Sequence, residues 1–170
     1  MKLVIIGAGG YGQVVRDLAE QSGKYSEIVF LDDNSKDEKV VGRCEDFEKY
    51  VADDTEIYPA FGNNELRISF VERLEKLGAK MPVLIHKTAY VSPHAKIASA
   101  NVVLPFAVVN TDVEIKEGCI INTHCVVDHG CIIERGVHLC IGALIKAENR
   151  IPASMKVEAA QVIQNRTYKL

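Results

Sequence analysis

Two features of the sequence predict its fold class, an α/β domain built on a βαβ unit followed by a short parallel β-helix. The first is an aliphatic strand near the N-terminus that ends in a glycine-rich turn and leads into a helical pattern. The second is a six-residue period of aliphatic residues in the C-terminal half. Where one pattern gives way to the other, we predict a boundary between domains of residues 1–86 and 87–170.

The composition bears on the partners, the location and the disulfide content that we expect for this protein. The chain has 170 residues, 48% of them hydrophobic, and a formal net charge of −3. Lys and Arg are scattered, so no basic block favours a nucleic acid or an anionic membrane as a partner. The first apolar run is too short for a secretory signal, and no later run is long enough for a bilayer, so we expect a cytoplasmic protein. The cysteines, odd in number and without a CxxC pair, favour reduced thiols over disulfides.

The glycine turn has the spacing of a phosphate-binding loop. The strand Leu3–Ile6 ends in "GAGGYG", and "QVVRDLAEQ" follows with apolar residues at helical spacing. Gly7, Gly9 and Gly12 fit G-x-G-x-x-G, in which small residues let backbone N–H groups and a helix N-terminus approach a phosphate.

The following elements extend this unit to four predicted strands. A second strand, "EIVFLDD", ends in Asp32 and Asp33, where a carboxylate can accept hydrogen bonds from a ribose or a base. A third, "EIYPAFG", precedes Asn63, a good N-cap for the helix "NELRISFVERLEKLG", and "MPVLIH" is the fourth.

The size of this unit favours half of a dinucleotide site. A complete dinucleotide fold needs two such halves, and this one stops near residue 85, which favours a mononucleotide or nucleotide-sugar site at the carboxyl ends of the strands. Two alternatives stay open: a small NAD-linked oxidoreductase, and glycines that serve only tight packing of strand against helix.

The C-terminal half repeats in steps of six. An aliphatic residue stands at every step from Val91 to Ile163, and a small residue follows four places later for most of the range up to Ala143. In a hexapeptide β-helix, three such sides make one triangular coil with the aliphatic residues stacked inside. After Ala143, the residue four places beyond each aliphatic step is no longer small. We therefore expect the regular prism to end there, with the polar C-terminal tail as its cap. Cysteines at the inward small position allow a metal site, but packing as small apolar residues is favoured.

Three of the five histidines lie within one short stretch, residues 121–143. His124, His129 and His138 occupy neither inward position, so we expect all three on the outer surface, as ordinary surface residues or as functional groups. A convex prism has no pocket of its own, so functional outward groups need a neighbouring subunit to complete a cleft. Three prisms around a threefold axis provide three equivalent clefts, which predicts a homotrimer.

The motifs "GAGGYG", "FLDD", "FGNNELR", "LIHKTAYVSP", "INTHCVVDHGC" and "VHLCIGA" occur in this order. With them the chain resembles the sialic acid O-acetyltransferase family of hexapeptide-repeat sugar acyltransferases, and it is similar in mechanism to N-acetyltransferases that act on UDP-4-amino sugars. The resemblance implies a Rossmann-like domain that holds a nucleotide sugar, and a left-handed parallel β-helix that trimerises. It also implies acetyl-CoA, bound between prisms, as the acyl donor, with no metal. Relatives continue for several more coils.

The resemblance also implies roles for single residues. His129 matches the general base that takes a proton from the sugar amine or hydroxyl, with Asp128 as its acidic neighbour. His138 matches the histidine that contacts acetyl-CoA near its thioester, and a backbone N–H around Gly142 would stabilise the oxyanion. Asn122 resembles a residue that positions the acceptor. The residues that match the nucleotide-sugar pocket are Gly9, Gly10, Tyr11, Asp32, Asp33, Gly62 and Asn63.

Two positions depart from the family pattern. Gly130 stands where relatives carry an acidic residue directly after the catalytic histidine. Asp128 is the possible substitute, but neighbours along a β-strand point to opposite faces, so a strand through Asp128 and His129 would separate their side chains. Tyr11 stands where relatives often carry histidine.

The favoured function is an acetyl-CoA-dependent acetyltransferase that modifies an amino or hydroxyl group of a nucleotide-activated sugar, for glycan or surface-polysaccharide precursors. The alternative is a relative that binds nucleotide sugars without transferring acyl groups. The sequence leaves open the sugar, N- against O-acetylation, the length of the acyl donor, and UDP against CMP.

Overall fold

The computed structural model describes all 170 residues, which form two compact units, Met1–Pro82 and Val83–Leu170. The predicted boundary between residues 86 and 87 falls inside the second unit. The reason is that the strand Val83–Ile85 pairs in parallel with Asn101–Val103, eighteen residues further on. That spacing equals three hexapeptides, so the repeat begins before Val91.

The first unit is a parallel sheet with helices packed against it. Its elements are β1 (Lys2–Ile6), α1 (Gly10–Ser22), β2 (Glu27–Leu31), β3 (Val40–Gly42), a 3₁₀ helix (Cys44–Tyr50), β4 (Thr55–Pro59) and α2 (Asn64–Lys76). The strand order β3-β2-β1-β4 places β1, with its glycine turn, between β2 and β4. The prediction of "MPVLIH" as the fourth strand of this sheet was wrong: its place is taken by β3, and Val83–Ile85 belongs to the second unit.

A single apolar core fixes one face of this sheet. Val4 and Ile6 of β1 pack with Phe47 of the 3₁₀ helix and with Phe70 and Leu74 of α2, and all five side chains are almost fully buried. Because alternate residues of a strand point to opposite faces, this packing fixes which side of β1 faces α2. It thereby fixes the direction in which the chain leaves the sheet at the glycine turn.

The second unit is a left-handed parallel β-helix, as the resemblance implied. Its strands are β5 (Val83–Ile85), β6 (Tyr90–Val91), β7 (Lys96–Ile97), β8 (Asn101–Val103), β9 (Val108–Val109), β10 (Glu114–Ile115), β11 (Ile120–Ile121), β12 (Val126–Val127), β13 (Ile132–Ile133), β14 (His138–Leu139), β15 (Leu144–Ile145), β16 (Arg150–Ile151), β17 (Lys156–Val157) and β18 (Val162–Ile163). They form three sheets, which we call the first face (β5, β8, β11, β14, β17), the second face (β6, β9, β12, β15, β18) and the third face (β7, β10, β13, β16).

The prism continues past Ala143, so the prediction that it ends there was wrong. Strands β16, β17 and β18 extend all three faces, and Ile151, Val157 and Ile163 belong to its core. Asn149 occupies the inward position at which the pattern expects a small residue. A small residue is not required there, because the buried side-chain amide of Asn149 donates to the carbonyls of Lys146 (2.7 Å) and Gln164 (2.8 Å). A satisfied inward amide can replace a small apolar residue, which a pattern of residue size does not reveal.

The turns repeat with the same period as the strands. From residue 100 to residue 166, every sixth residue has a positive φ, and glycine fills only some of these positions. The segment 128–131 is one such turn and joins the second face to the third, while 122–125 joins the first face to the second. Neither helix of the chain has the length and apolar character that crossing a membrane requires.

Candidate active site

The glycines of the turn after β1 divide into two classes. Gly7 has a φ of +100°, and a Cβ on Gly12 would lie 2.0 Å from the Gly7 carbonyl oxygen, so the fold itself requires both glycines. A Cβ on Gly9 or Gly10 would meet nothing within 4 Å. Packing within the chain therefore does not require these two glycines, and the open space beside them leaves room for a ligand at the start of α1.

Asp32 fastens this glycine turn to the end of β2. Its carboxylate accepts hydrogen bonds from the backbone N–H of Ala8 (2.8 Å), Asn34 (2.8 Å) and Ser35 (2.7 Å). Partial burial raises the pKa of Asp32, but the three N–H donors outweigh it and hold the pKa below its usual value. Asp33 instead pairs with the Arg43 guanidinium at 3.0 Å on the surface.

The other residues predicted for the nucleotide-sugar pocket also have partners in the fold. The Tyr11 hydroxyl lies 2.8 Å from the Tyr58 hydroxyl, and burial together with Tyr58 raises the pKa of Tyr11, so the phenol stays neutral. Asn63 caps α2 by accepting from the Leu66 N–H at 2.8 Å, while a Cβ on Gly62 would meet open space. Tyr58 was not predicted, although its position near the carboxyl end of β4 could have indicated it.

A pair of alanine substitutions separates the two classes of glycine. Gly12→Ala is expected to cost about 2–3 kcal/mol of stability, since the new methyl group collides with backbone. Gly10→Ala is expected to leave the melting temperature unchanged or slightly higher, because alanine has the better helix propensity at the start of α1. It should nevertheless weaken nucleotide-sugar binding about tenfold or more, as measured by calorimetry. Unchanged binding in Gly10→Ala would contradict a ligand at this turn.

Asp128 and His129 form a hydrogen-bonded pair on the edge between the second and third faces. One carboxylate oxygen of Asp128 accepts from the His129 backbone N–H (2.8 Å) and lies 3.0 Å from the ring Nδ1. Both residues follow β12 in a turn, so the alternation of side chains along a strand does not apply to them. The expectation that their side chains point apart was wrong for this reason.

This pairing fixes the tautomer of His129. A carboxylate only accepts hydrogen bonds, so Nδ1 carries the proton and Nε2 keeps its lone pair. The side chain of His129 is 56% exposed, which leaves Nε2 open to a substrate. Gly130, with a φ of +65°, occupies the left-handed position of the same turn, so the carboxylate approaches the ring from the residue before His129.

Asn110 supports the same carboxylate and was missed from the sequence. Its side-chain amide donates to Asp128 at 3.1 Å from the preceding coil. The spacing of eighteen residues, one complete coil, is the signal that could have found it. The His129 N–H, together with the His129 ring and Asn110, outweighs partial burial and holds the pKa of Asp128 below its usual value.

Loss of the Asp128 charge is expected to slow catalysis without preventing binding. Asp128→Asn should lower kcat about 10- to 100-fold, because the amide no longer holds the imidazole in the productive tautomer. The pKa of Asp128 is depressed, so its contribution to stability is present above pH 4 and is lost as the pH falls through its folded value. The melting temperatures of wild type and variant should therefore differ at pH 7 and converge in acid. A gap that persists or widens in acid would contradict this assignment.

A second group of predicted residues lies on the first face and its edge with the second. The Asn122 amide nitrogen lies 3.4 Å from Nε2 of His138, on the next coil. The Gly142 N–H donates to the Thr123 carbonyl at 2.9 Å and so is already engaged. The adjacent Ile141 N–H has no partner within the chain, so of these two N–H groups it is the one left to donate to a ligand.

The two groups lie on different parts of the prism. The turn that carries His129 joins the second and third faces and is therefore opposite the first face, from which His138 projects. One prism does not bring His129 together with Asn122 and His138.

The cysteines at the inward small position pack in the core. Cys119, Cys125 and Cys131 are fully buried, and each thiol lies close to a backbone carbonyl of the next coil. Burial raises the pKa of Cys125 to about 11, which excludes a reactive thiolate there. No group of three or more His, Cys, Asp or Glu side chains is arranged to hold a metal ion.

A family model and several solved acetyltransferase structures are similar to this chain. Residues 2–74 match the family described as the PglD N-terminal domain. The acetyltransferase domain of PglB from Neisseria gonorrhoeae FA1090 is 38% identical, with a TM-score of 0.93 over 97% of this chain and 83% of that one. The same domain in complex with acetyl coenzyme A gives 38% and 0.92 over 97% and 82%. A variant of perosamine N-acetyltransferase from Caulobacter crescentus, in complex with CoA and GDP-perosamine, is 23% identical, with a TM-score of 0.70 over 95% and 90%, and shares the fold.

Proposed function

Because this chain belongs to the family of hexapeptide-repeat sugar acetyltransferases that includes the acetyltransferase domain of PglB, we propose that it transfers the acetyl group of acetyl-CoA to a nucleotide-activated sugar. The acceptor is an amino or hydroxyl group of that sugar. The observation that carries the mechanism is the Asp128–His129 pair, with Nδ1 held at 3.0 Å and Nε2 open to solvent. Acetyl-CoA and nucleotide sugars are intracellular metabolites, which supports a cytoplasmic reaction.

His129 acts as the general base. Its Nε2 takes the proton from the sugar nitrogen or oxygen as that atom attacks the thioester carbonyl carbon. The negative charge of the tetrahedral intermediate develops on the former carbonyl oxygen, for which the Ile141 N–H is the proposed donor. The C–S bond then breaks, and the CoA thiolate takes up the proton held by His129. Atoms and charge balance without a metal or a redox step.

An apolar stripe supports the homotrimer as the working form. On the second face the outward residues of all five strands are apolar. They are Tyr90, Val108, Val126, Leu144 and Val162. The outward positions of the third face are mostly charged, with Lys96 and Glu114 in an ion pair. A continuous exposed apolar stripe is typical of a subunit interface.

Packing of the second faces around a threefold axis would also complete the site. The two edges that flank the second face would then meet between neighbouring copies. His129 of one copy would face Asn122 and His138 of the next, which resolves their separation on a single prism. The nucleotide-sugar site is proposed at the glycine turn, where Gly9, Gly10 and Gly62 leave open space.

Turnover tests this proposal directly. The protein is incubated with acetyl-CoA and either a UDP-linked 4-amino sugar or GDP-perosamine, release of the CoA thiol is followed, and the product mass is checked for one added acetyl group. Saturable thiol release with an acetylated product is the expected result. Nucleotide-sugar binding without acetyl-CoA binding, in calorimetry of a protein of known solution mass, would overturn it and favour a binding protein without transferase activity.

A further inference from the structure

Two aromatic rings form a stacked pair on the edge between the first and second faces. The rings of Phe106 and His124 have their centroids 5.1 Å apart and an interplanar angle of 24°. Phe106 is 54% exposed, and His124 is exposed as well. The stacked pair therefore presents an aromatic surface that packing within the prism does not use.

Both rings stand at positions of the repeat where φ is positive. Phe106 has a φ of +60° and His124 a φ of +59°, a region that glycine and asparagine adopt far more readily than bulky residues. The equivalent position on the next coil is Gly142, so the same turn accommodates the unstrained residue. Packing inside the prism therefore does not require a bulky side chain at either position.

The location of this pair relates it to the proposed cleft. Asn122 lies two residues before His124 in the same turn, and its amide contacts His138. His138 and Ile141, the proposed thioester contacts, lie one coil towards the C-terminal end, whereas Phe106 lies one coil towards the N-terminal end. The aromatic pair is thus on the side of Asn122 away from the thioester, which is the side left for the acceptor.

We propose that Phe106 and His124 form the surface on which the pyranose ring of the acceptor sugar rests during transfer. The apolar C–H face of a pyranose matches an aromatic ring, and the ring nitrogens of His124 at the rim can hydrogen-bond to sugar hydroxyls. Such a contact orients the sugar amine or hydroxyl towards His129 of the neighbouring copy. This inference rests on the proposed acetyltransferase function and adds to it a determinant of sugar recognition.

The substitution Phe106→Asn tests the proposal while preserving the fold. Asparagine tolerates the left-handed backbone, so the melting temperature should stay level or rise, whereas a purely structural stacking pair would lower it. The KM for the UDP-linked 4-amino sugar should rise about five- to tenfold, with the KM for acetyl-CoA unchanged. Calorimetry should show weaker binding of the UDP-linked sugar but unchanged binding of UDP alone. Phe106→Tyr should retain wild-type values.

A matched control places the same new residue at the same backbone conformation elsewhere. Ser154 has a φ of +57° on the edge between the third and first faces, and Ser154→Asn should leave every constant unchanged.

Two results in Phe106→Asn would overturn the proposal by assigning the aromatic pair to another part of a substrate. An equal loss of affinity for UDP would show that the pair contacts the nucleotide. A raised KM for acetyl-CoA would show that it contacts the acyl donor. Unchanged constants in Phe106→Asn overturn it as well. Failure of the acetyltransferase function is seen separately, as absent turnover in the wild type, and calorimetry with the sugar still tests the aromatic pair.

Discussion

Replacing His129 with alanine is expected to lower kcat about 10²- to 10⁴-fold, the contribution typical of a general base. With Nδ1 held by Asp128, Nε2 of this ring keeps its lone pair and faces solvent, so it is the atom that can take the proton of the acceptor. Binding should survive, because the glycine turn, Asn122 and His138 are untouched. Calorimetry with acetyl-CoA and with the nucleotide sugar, alongside kcat, separates these two effects.

His94 offers a matched control for this substitution. It is an exposed histidine on the same edge of the prism, two coils nearer the N-terminal end. His94→Ala should therefore reproduce any general effect of removing a surface imidazole while retaining turnover. Near-normal turnover in His129→Ala would exclude this residue as the base.

The architecture of the prism could be predicted because a single physical rule determines it. Each step of six must bury an aliphatic residue, and Val91 to Ile163 obey this rule without a break, as the core confirms. The end of the prism was predicted wrongly because Asn149 satisfies the same inward position by hydrogen bonding. The strand Val83–Ile85 was assigned to the wrong sheet because a short apolar run does not specify its partner.

The sequence could nominate the site residues but not their contacts. The contact between Asp128 and His129 depends on their position in a turn, which a strand-like pattern concealed. Asn110 acts from another coil, and only the eighteen-residue period connects it with Asp128. In the first unit, the carboxylate of Asp32 accepts a hydrogen bond from the N–H of Ala8 in the glycine turn. The sequence pattern does not show which backbone N–H groups a carboxylate at the end of a strand will accept from.

If the chain forms the proposed homotrimer, replacing Leu144 with aspartate is expected to yield monomers and to abolish turnover. Leu144 lies within the apolar stripe, paired with Val126 on one side and Val162 on the other. Around a threefold axis, three carboxylates would be brought together in an apolar interface, which neither solvates nor pairs them. The side chain points out of the prism, so the monomer should keep its fold. Solution mass by light scattering and the circular dichroism spectrum report the two properties separately.

Ile132 provides the control for this substitution. Like Leu144, it is an outward aliphatic residue and the first residue of a two-residue strand. It lies on the third face, however, paired with Glu114 on one side and Arg150 on the other. Ile132→Asp should leave the solution mass and the turnover close to wild type. A Leu144→Asp protein that stays trimeric would exclude the second face as the interface.

Mixing two variants of low turnover tests the same arrangement with the interface intact. If each cleft takes His129 from one copy and Asn122 from the next, a 1:1 mixture of His129→Ala and Asn122→Ala subunits, after unfolding and reassembly, contains both intact groups in about a quarter of its clefts. Turnover should therefore recover to about a quarter of wild type, well above the turnover of either variant alone. If both groups came from a single chain, each chain in the mixture would still lack one of them, and no activity would return. Recovery thus requires a cleft shared between copies, as expected where the functional groups lie on the outside of a prism.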